Sequence, residues 1–486
     1  MSQSTKLGPR TRRTARNVSV MAVAEVAGKV ATLAYTVVAA RELSTGDFGA
    51  FAYAIAFSLL VATLPSWGFD ALLVQRASAE PHRLSVLLSE TLSWRLALIV
   101  PVFVAAGAIG VASRPTPRSA AALLIILGAT MVDLISDAGR AAAGAKQDLR
   151  GVSVALVVQR FVTAGLGVAA LLGGLGLVGL SSAYLIGAVV GAIAVAISIG
   201  RLGIKVDLRS VERGGFFETG RRSVIIGLDV LVAMALFRID QVILAAIKGD
   251  QALAVYAASY RLLETVLFVS WVVSRSVFPL MSENAEGWRL RRAIEKGTAA
   301  ASLLFVPFAV GLSIEAKPVL QVLYGSPYAE SGVAITRWLS PSPLFFVIGF
   351  LGSFALFARE QRMQVLVASM IAAAFNIGLN ILLIPGMSGL GAAIATTTSY
   401  ALEAVVTLFL LFPITGWVRL DRAIALPAVA SAVMAGVVIL VPGGLFVDAA
   451  IVVAVFAVAW YALARRFAPE QLVVLRSVVR TTERET

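Results

Sequence analysis

Long apolar stretches, separated by short polar breaks, follow one another along almost the whole chain. Because a helix needs about twenty apolar residues to cross a bilayer, this pattern predicts fourteen transmembrane helices. Their expected ranges are 18–40, 49–75, 86–112, 120–142, 151–172, 177–200, 222–247, 252–281, 294–314, 333–358, 363–385, 389–413, 423–441 and 445–465. Composition supports the prediction, since 59% of the 486 residues are hydrophobic and 14% are charged. The expected fold class is an all-α polytopic membrane protein.

Basic residues mark one alternating set of loops and so predict the orientation of the chain. Lys and Arg concentrate in cytoplasmic loops, and here they crowd the N-terminal tail, the linker after the sixth span and the C-terminal tail. We therefore expect both termini in the cytoplasm, in a bacterial inner (cytoplasmic) membrane. The net charge of +13 is then an orientation signal that also favours anionic lipid, and no nucleic-acid partner is expected.

The residue types that many enzymes need are scarce. The chain contains no cysteine and one histidine, His82, which leaves no basis for a disulfide, a Cys/His zinc site or thiol catalysis. The longest outer loop is expected at about 315–332, and no D-x-D or G-x-x-x-x-G-K-[ST] motif occurs. We expect a transporter that is not an enzyme, with no catalytic residue, metal or cofactor.

A trace of internal duplication relates the two halves of the chain. The residues Gly46, Asp47, Tyr53, Ala54, Phe57, Leu59 and Leu60 match, at one constant offset, Gly249, Asp250, Tyr256, Ala257, Tyr260, Leu262 and Leu263. This predicts two six-helix lobes related by a pseudo-two-fold axis along the membrane normal, followed by two C-terminal helices. The alternative is that two Gly-Asp turns opening Ala-rich helices agree by chance.

The duplication predicts how the chain is divided. The expected parts are a cytoplasmic basic tail (1–17), an N-terminal lobe (18–204), a cytoplasmic linker (205–222), a C-terminal lobe (223–413), two further helices (414–465) and a cytoplasmic tail (466–486). In the linker, Gly214 and Gly215 interrupt an amphipathic pattern, which predicts either a surface helix followed by a flexible joint or a solvated loop. A second interfacial helix is expected at Pro469–Arg480.

Ionisable residues within the predicted spans are candidates for a binding site, because a charge at the bilayer centre costs about 2.5 to 3.5 kcal/mol on insertion scales and faces a partner or water. The candidate substrate contacts are Arg238, Arg261, Arg275, Lys29, Arg95 and Arg160, together with the amides Asn376 and Asn380. The candidate ion-coupling residues are Glu25, Asp229, Asp240, Glu264 and Glu403.

A structural role remains open for some of these charges. Residues three or four apart on a helix can pair, and two carboxylates on one face repel unless a cation such as Arg95 or Arg160 lies opposite or one holds a proton. These spacings occur in three places, at Glu25 and Lys29, at Asp133 and Asp137, and at Arg261 and Glu264.

Three segments resemble the polysaccharide transporter (oligosaccharide/O-antigen flippase) family of the multidrug/oligosaccharidyl-lipid/polysaccharide exporter superfamily. They are ARELSTGDFGAFAYA at Ala40–Ala54, YAASYRLLETV at Tyr256–Val266 and FNIGLNILLIPGMSGLGAAIATTTSY at Phe375–Tyr400. In the last, the helix is expected to break at Pro385 and restart at Ser388. The resemblance implies the fold shared by flippases and drug exporters, with substrate passing between two lobes by alternating access.

The resemblance also implies a function. It is translocation of a polyprenyl-pyrophosphate-linked oligosaccharide to the outer leaflet for cell-surface polysaccharide biosynthesis. Arginine suits this substrate because its fork of donors matches phosphate oxygens and stays protonated. The alternatives are a cation-coupled multidrug or metabolite exporter, a lipid II flippase of the same fold, and a membrane enzyme acting on polyprenyl-linked sugars. The expected partners are the glycan lipid, membrane lipids and, as a further possibility, glycan polymerase machinery, with the transporter itself a monomer.

Overall fold

The computed structural model describes residues 28, 30–114, 116–282, 286–441 and 443–467, and these residues are almost entirely α-helical, with no β-strand among them. A helix satisfies its backbone hydrogen bonds internally, as a lipid environment requires. Large apolar side chains such as Leu440, Phe409 and Val453 are 82%, 73% and 70% exposed, which fits a lipid-facing surface. The all-α polytopic fold class is confirmed.

The helices follow one another with few residues between them. They are α1 (30–42), α2 (Thr45–Ser66), α3 (Phe69–Ala79), α4 (Leu84–Ala112), α5 (Pro117–Ala145), α6 (Arg150–Leu172), α7 (Gly176–Arg201), α8 (Arg213–Ser282), α9 (Gly287–Ile314), α10 (Ala316–Tyr324), α11 (Ser326–Leu339), α12 (Ser342–Ala358), α13 (Arg362–Met387), α14 (Gly389–Thr415), α15 (Leu420–Leu440) and α16 (Leu445–Phe467). Short 3₁₀ turns lie at Pro81–Arg83 and Leu208–Ser210.

Twelve stretches in the described part are long and apolar enough to cross a membrane. One of them, 213–278, contains two expected spans, because Gly249 (φ 81°, ψ 178°) breaks α8 with a single residue. Only glycine adopts that conformation readily. Counting this stretch twice and adding the first expected span, of which 30–42 is described, accounts for the fourteen predicted helices. The basic tail, Glu25, Lys29 and the helix expected at Pro469–Arg480 lie outside the described residues.

The sequence placed some breaks incorrectly. The second span was expected as one helix over 49–75, but α2 ends at Ser66 and α3 begins at Phe69, because Trp67 and Gly68 both adopt left-handed backbone conformations. The segment 315–332, which was expected to be an outer loop, instead forms α10 and the first half of α11. Both differences depend on local backbone conformation that hydropathy does not record.

Two further breaks lie elsewhere than expected. Helix α13 continues through Pro385 to Met387, and the chain turns at Ser388 (φ 51°, ψ −134°). A proline near the end of a membrane helix is tolerated because neighbouring groups satisfy the freed carbonyl. Gly214 and Gly215 do not form a flexible joint, since they lie in the first turn of α8, well before its break at Gly249.

The chain forms two compact units that meet between Ala257 and Ala258, within α8. In the first unit, α5 packs against α2, α3, α4 and α7, and α6 packs on α7. In the second unit, α14 packs against α12 and α13, while α15 packs on α9 and α16. The first half of α8 therefore belongs to the first unit, although the duplication relates it to the second lobe.

Glycines allow some of these helices to touch closely, as is usual for helices in lipid. A Cβ atom added to Gly391 of α14 would lie 2.7 Å from the backbone carbonyl carbon of Leu383 in α13. Because the obstacle is backbone, a change of rotamer cannot make room. In contrast, a Cβ atom added to Gly378 on the same hairpin would meet nothing within 4 Å.

These two glycines give a matched pair of substitutions. We expect Gly391→Val to lower the free energy of unfolding by about 1 to 3 kcal/mol, because overpacking against a backbone is not relieved. Gly378→Ala should be neutral or stabilise by up to about 1 kcal/mol through helix propensity. Thermal unfolding of the detergent-solubilised protein measures both, and unchanged stability in Gly391→Val would contradict the close contact.

Candidate functional site

A charge cluster in the first unit centres on Arg95 of α4. Its side chain is fully buried, its Nη2 atom donates to Asp70 Oδ2 at 2.6 Å, and its Nη1 atom contacts the Leu134 carbonyl of α5. The left-handed pair at Trp67 and Gly68 starts α3 just before Asp70 and so places this carboxylate in the first helical turn, where negative charge is favoured. Arg95 thus joins α3, α4 and α5.

The two aspartates of α5 belong to the same cluster. Asp137 accepts hydrogen bonds from Arg140 Nε at 3.0 Å and Nη2 at 2.6 Å, and Asp133 accepts one from Gln159 Nε2 at 2.7 Å. The sequence analysis named Arg95 and Arg160 as examples of cations that would relieve their repulsion. Arg95 pairs with Asp70 and the cation bonded to Asp137 is Arg140, whereas Arg160 is close enough for its charge to act on Asp133. The paired charges of this cluster cancel, as an apolar medium requires.

Arg160 of α6 contributes a third cation to this region. A Cβ atom added to Gly28 would collide with the Arg160 side chain, so the arginine lies directly against the first expected span. It is also close enough to Asp133 for their charges to interact. Arg160 therefore lies between the first expected span and α5, and its role as a substrate contact stays a prediction.

The first half of α8 carries three more candidates. Asp240 is fully buried and accepts hydrogen bonds from the Tyr256 hydroxyl and, at 2.7 Å, from the Gln241 amide. Arg238 and Asp229 are half-buried. The roles of Arg238 as a substrate contact and of Asp240 and Asp229 in ion coupling stay predictions.

An ion pair in the second unit joins Arg261 and Glu264 of α8. The Nη1 and Oε2 atoms are 2.7 Å apart, and the side chains keep 22% and 15% of their exposure. This confirms the pairing that their spacing predicted. The Tyr324 hydroxyl at the end of α10 is buried without a hydrogen-bond partner in the described part of the chain, and it is close enough to interact with both charges. Arg261 is thus a partly accessible cation beside a buried donor.

Other candidates of the second unit are arranged differently. Arg275 is exposed, and Glu403 is half-buried with the Ser369 hydroxyl 3.5 Å away. Asn376 and Asn380 are fully buried, and Asn380 Nδ2 donates to both the carbonyl and the Oδ1 atom of Asn376 at 2.9 Å. The amides therefore line no accessible surface in this structure, and a contact with substrate would require α13 to move.

Sequence analysis missed two ion pairs that lie near the two ends of the first half of α8. Arg76 pairs with Glu90 beside Thr219, and Arg114 pairs with Asp250. These residues lie near the ends of the expected spans, where a charge is normally solvated and carries no signal. Of the four paired residues, the sequence singled out only Asp250, because its Gly-Asp turn belongs to the predicted duplication.

The chemistry available to the described residues is that of charge pairing and hydrogen bonding. In the described ranges, no group of three or more His, Cys, Asp or Glu side chains is arranged to hold a metal ion. Arginines beside carboxylates can instead exchange one anionic partner for another, because both make charge-assisted hydrogen bonds of similar geometry. The arrangement therefore suits reversible binding of an anion.

Solved structures show which fold the chain has. The chain superposes on "Lipid II flippase MurJ, inward closed conformation" with a TM-score of 0.78 and 14% identity, covering 92% of this chain and 98% of that one. An inward-facing multidrug resistance MATE family transporter of the MOP superfamily gives 0.62 and 13%, with 84% and 98% covered. A MOP superfamily transporter from Pyrococcus furiosus gives 0.61 and 13%, with 82% and 96% covered. The fold is that of MOP superfamily transporters.

Two family models specify the assignment. The model described as "Polysaccharide biosynthesis protein" matches residues 14–285, and the model described as "Lipid II flippase MurJ" matches residues 152–474. Each match spans more than half of the chain. The chain belongs to the flippases of polysaccharides and lipid-linked oligosaccharides within the MOP superfamily. The family predicted from the three sequence segments is confirmed.

Curated relatives agree over part of the chain. "Probable flippase AglR" of Haloferax volcanii is 29% identical over 183 residues, which are 37% of this chain and 38% of the relative. "Probable low-salt glycan biosynthesis flippase Agl15" of the same organism is 22% identical over 169 residues, which are 34% and 36%. The chain thus spans less than two fifths of each relative. Because both relatives are archaeal, a bacterial inner membrane stays a prediction, as do the cytoplasmic termini.

The Arg95 pair gives a test of structural charge pairing. We expect Arg95→Met to lower the free energy of unfolding by about 3 kcal/mol, because Asp70 keeps its charge without a counter-ion. This is the lower end of the usual range, since the Asp70 side chain is 33% exposed. Adding Asp70→Asn should restore part of the loss in a thermal unfolding assay. A double variant less stable than Arg95→Met would contradict the pairing.

Proposed function

We propose that this flippase moves a polyprenyl-pyrophosphate-linked oligosaccharide from the cytoplasmic leaflet to the outer leaflet by alternating access, for cell-surface polysaccharide biosynthesis. The observation that carries the proposal is the partly exposed Arg261–Glu264 pair on α8, in a chain whose family moves lipid-linked glycans. The pair supports an anionic substrate because a guanidinium held by one carboxylate can be taken over by phosphate oxygens.

The headgroup site is proposed to form around Arg261. A pyrophosphate competes with Glu264 for the guanidinium and has more acceptor oxygens than a carboxylate. The buried Tyr324 hydroxyl has no hydrogen-bond partner among the described residues, and an unsatisfied buried donor gains when a ligand supplies an acceptor. Arg238, Arg275, Arg95 and Arg160 are proposed to line the path of the headgroup.

The same pair determines the charge that moves in each step. When the site is empty, Arg261 and Glu264 neutralise each other, so these two residues carry no net charge through the return step. When the site is loaded, the headgroup adds ~2 negative charges, and their outward movement gains about 2.3 kcal/mol per charge per 100 mV of inside-negative potential. The membrane potential therefore supplies a driving force without ion coupling.

Carboxylates remain candidates for ion coupling within this proposal. Glu264 loses its counter-ion when phosphate takes Arg261, and a carboxylate without a counter-ion in an apolar site gains a proton more readily. Asp229, Asp240 and Glu403 are the other described candidates, and Glu25 lies outside the described residues. We propose a non-enzymatic monomer without cofactors, with glycan polymerase machinery as a candidate partner. The drug-exporter alternative, which shares the fold, would use the same carboxylates for cationic substrates.

Translocation in liposomes tests the headgroup site. With a fluorescent polyprenyl-pyrophosphate sugar, we expect Arg261→Ala to slow transfer between leaflets by about 10- to 100-fold, as for the loss of a charge-assisted contact of 1.5 to 3 kcal/mol. Arg238→Ala should slow it as well. Glu264→Gln should lower the substrate concentration needed for half-maximal transfer, because the competing carboxylate is gone.

The variants separate the alternatives. A gain with Glu264→Gln cannot come from a merely structural pair, since breaking such a pair would reduce transfer like Arg261→Ala. If no variant and no wild-type sample moves the sugar lipid, while the same vesicles show ion-dependent efflux of a cationic dye, the exporter alternative replaces the proposal.

The driving force can be tested with the same vesicles. We expect an inside-negative potassium diffusion potential to accelerate outward transfer, and collapse of the potential to slow it, because the loaded step moves negative charge outward. Removing a pH gradient at constant potential should leave the rate unchanged. Transfer that stops without the pH gradient but ignores the potential would show proton coupling instead.

A further inference from the structure

The first half of α8 is attached to the first unit at both of its ends. The contacts near residue 216 form what we call the linker clamp, made by Arg76, Glu90, Trp94, Phe216 and Thr219. The contacts near residue 250 form the turn clamp, made by Gly49, Tyr53, Arg114 and Asp250. About thirty helical residues separate the clamps, which is about 45 Å at 1.5 Å per residue.

The linker clamp is a buried polar triad beside an aromatic stack. Arg76 Nη1 donates to Thr219 Oγ1 at 2.8 Å and lies 3.3 Å from Glu90 Oε2, and Thr219 Oγ1 donates to the same carboxylate oxygen at 2.6 Å. Trp94 Nε1 donates to the Phe216 carbonyl at 2.7 Å, and the two rings stack with centroids 4.1 Å apart. These bonds join α8 to α3 and α4.

Glycines bring the helices this close. A Cβ atom added to Gly215 would lie 2.5 Å from Glu90 Oε1, and one added to Gly220 would lie 2.5 Å from the Trp94 ring. Small residues let helices approach this closely, and the Trp94 ring lies against Gly220 while it stacks on Phe69 and Phe216.

The turn clamp repeats this construction at the other end. Arg114 Nη1 lies 2.8 Å from Asp250 Oδ1, and its guanidinium lies 3.6 Å above the Tyr53 ring. A Cβ atom added to Gly49 would collide with the Asp250 backbone. The buried Arg114 Nε atom has no acceptor among the described residues. An arginine, a carboxylate, an aromatic ring and a glycine again form the contact.

Such clamps suit exchange better than permanent attachment. A buried ion pair recovers its hydration when it opens, so its net contribution to stability is small compared with that of an apolar contact. The predicted duplication assigns the first half of α8 to the second lobe, whereas the two clamps hold it in the first unit. If that prediction holds, this helix belongs to one repeat and packs on the other, so its contacts are the ones that transport has to change.

We propose that the first half of α8 releases and remakes its contacts with the first unit, and we call it the exchangeable helix. Each transport cycle requires one of its two clamps to open. The timing rests on the proposed flippase function, whereas the opening can be measured without substrate. The chain contains no native cysteine, so introduced thiols report on single positions.

Thiol labelling measures the opening. Ser223 of α8 is 0% exposed, and among the described residues its hydroxyl donates to the Gly220 carbonyl within its own helix, so Ser223→Cys leaves the clamp bonds intact. Ser153 near the start of α6 is 7% exposed and serves as the control. In membranes we expect N-ethylmaleimide to label Ser223→Cys about tenfold faster than Ser153→Cys, since local opening exposes only the first. Equal rates would overturn the proposal.

Cross-linking tests whether transport needs the opening. In the double variant with Glu90→Cys and Gly215→Cys, oxidation forms a disulfide across the linker clamp. We expect this disulfide to slow transfer about tenfold relative to the reduced sample. A reducible bifunctional thiol reagent joining Arg114→Cys to Asp250→Cys should do the same. The control is Gly167→Cys with Ala183→Cys on α6 and α7, where an added Cβ atom lies 4.0 Å from the Ala183 Cβ atom.

The outcomes distinguish this inference from the proposed function. Full transfer with either clamp cross-linked, or an equal loss in the α6–α7 control, would overturn the exchange of α8. If Ser223→Cys is labelled faster than Ser153→Cys but no sample moves the sugar lipid, the proposed substrate fails while the exchangeable helix stands.

Discussion

A charge in an apolar medium needs a partner, and the rest of this structure depends on that constraint. The cost of a lone charge is too high for a stable helix bundle, so buried arginines lie against carboxylates. Arg95 with Asp70 joins three helices of the first unit, while Arg140 with Asp137 neutralises a single helix face. Residue types that mark a binding site in a soluble protein are therefore also the means by which membrane helices recognise each other.

This constraint shapes the kind of site that a flippase can build. An arginine without a partner would bind phosphate tightly but would cost too much when empty, whereas Arg261 paired with Glu264 is neutral at rest. The net binding free energy is then the difference between the interaction of Arg261 with phosphate and its interaction with Glu264, and this difference is small. A transporter has to release what it binds, so a modest difference is an advantage.

The spans and the nearby pairs could be predicted because both are local properties of the sequence. Hydropathy over about twenty residues locates a membrane helix, and a spacing of three residues places Arg261 beside Glu264. The breaks at Trp67 and Ser388 could not be predicted, because a left-handed backbone at a residue other than glycine is chosen by packing. The pair of Asp137 with Arg140 has the same three-residue spacing and was overlooked, whereas the Gln159 partner of Asp133 lies 26 residues away and could not be predicted from spacing.

Gly249 lies where the need to pair a buried charge meets the proposed movement of the first half of α8. The two spans of α8 are joined by this single residue with φ 81°, a conformation that glycine adopts readily. Asp250, the next residue, makes the turn clamp with Arg114. A pivot at Gly249 therefore displaces the Asp250 carboxylate directly. If the helix releases its contacts as we propose, the turn clamp opens in the same motion that redirects the first half of α8. An ion pair suits this turn better than an apolar contact, because it recovers its hydration when it opens.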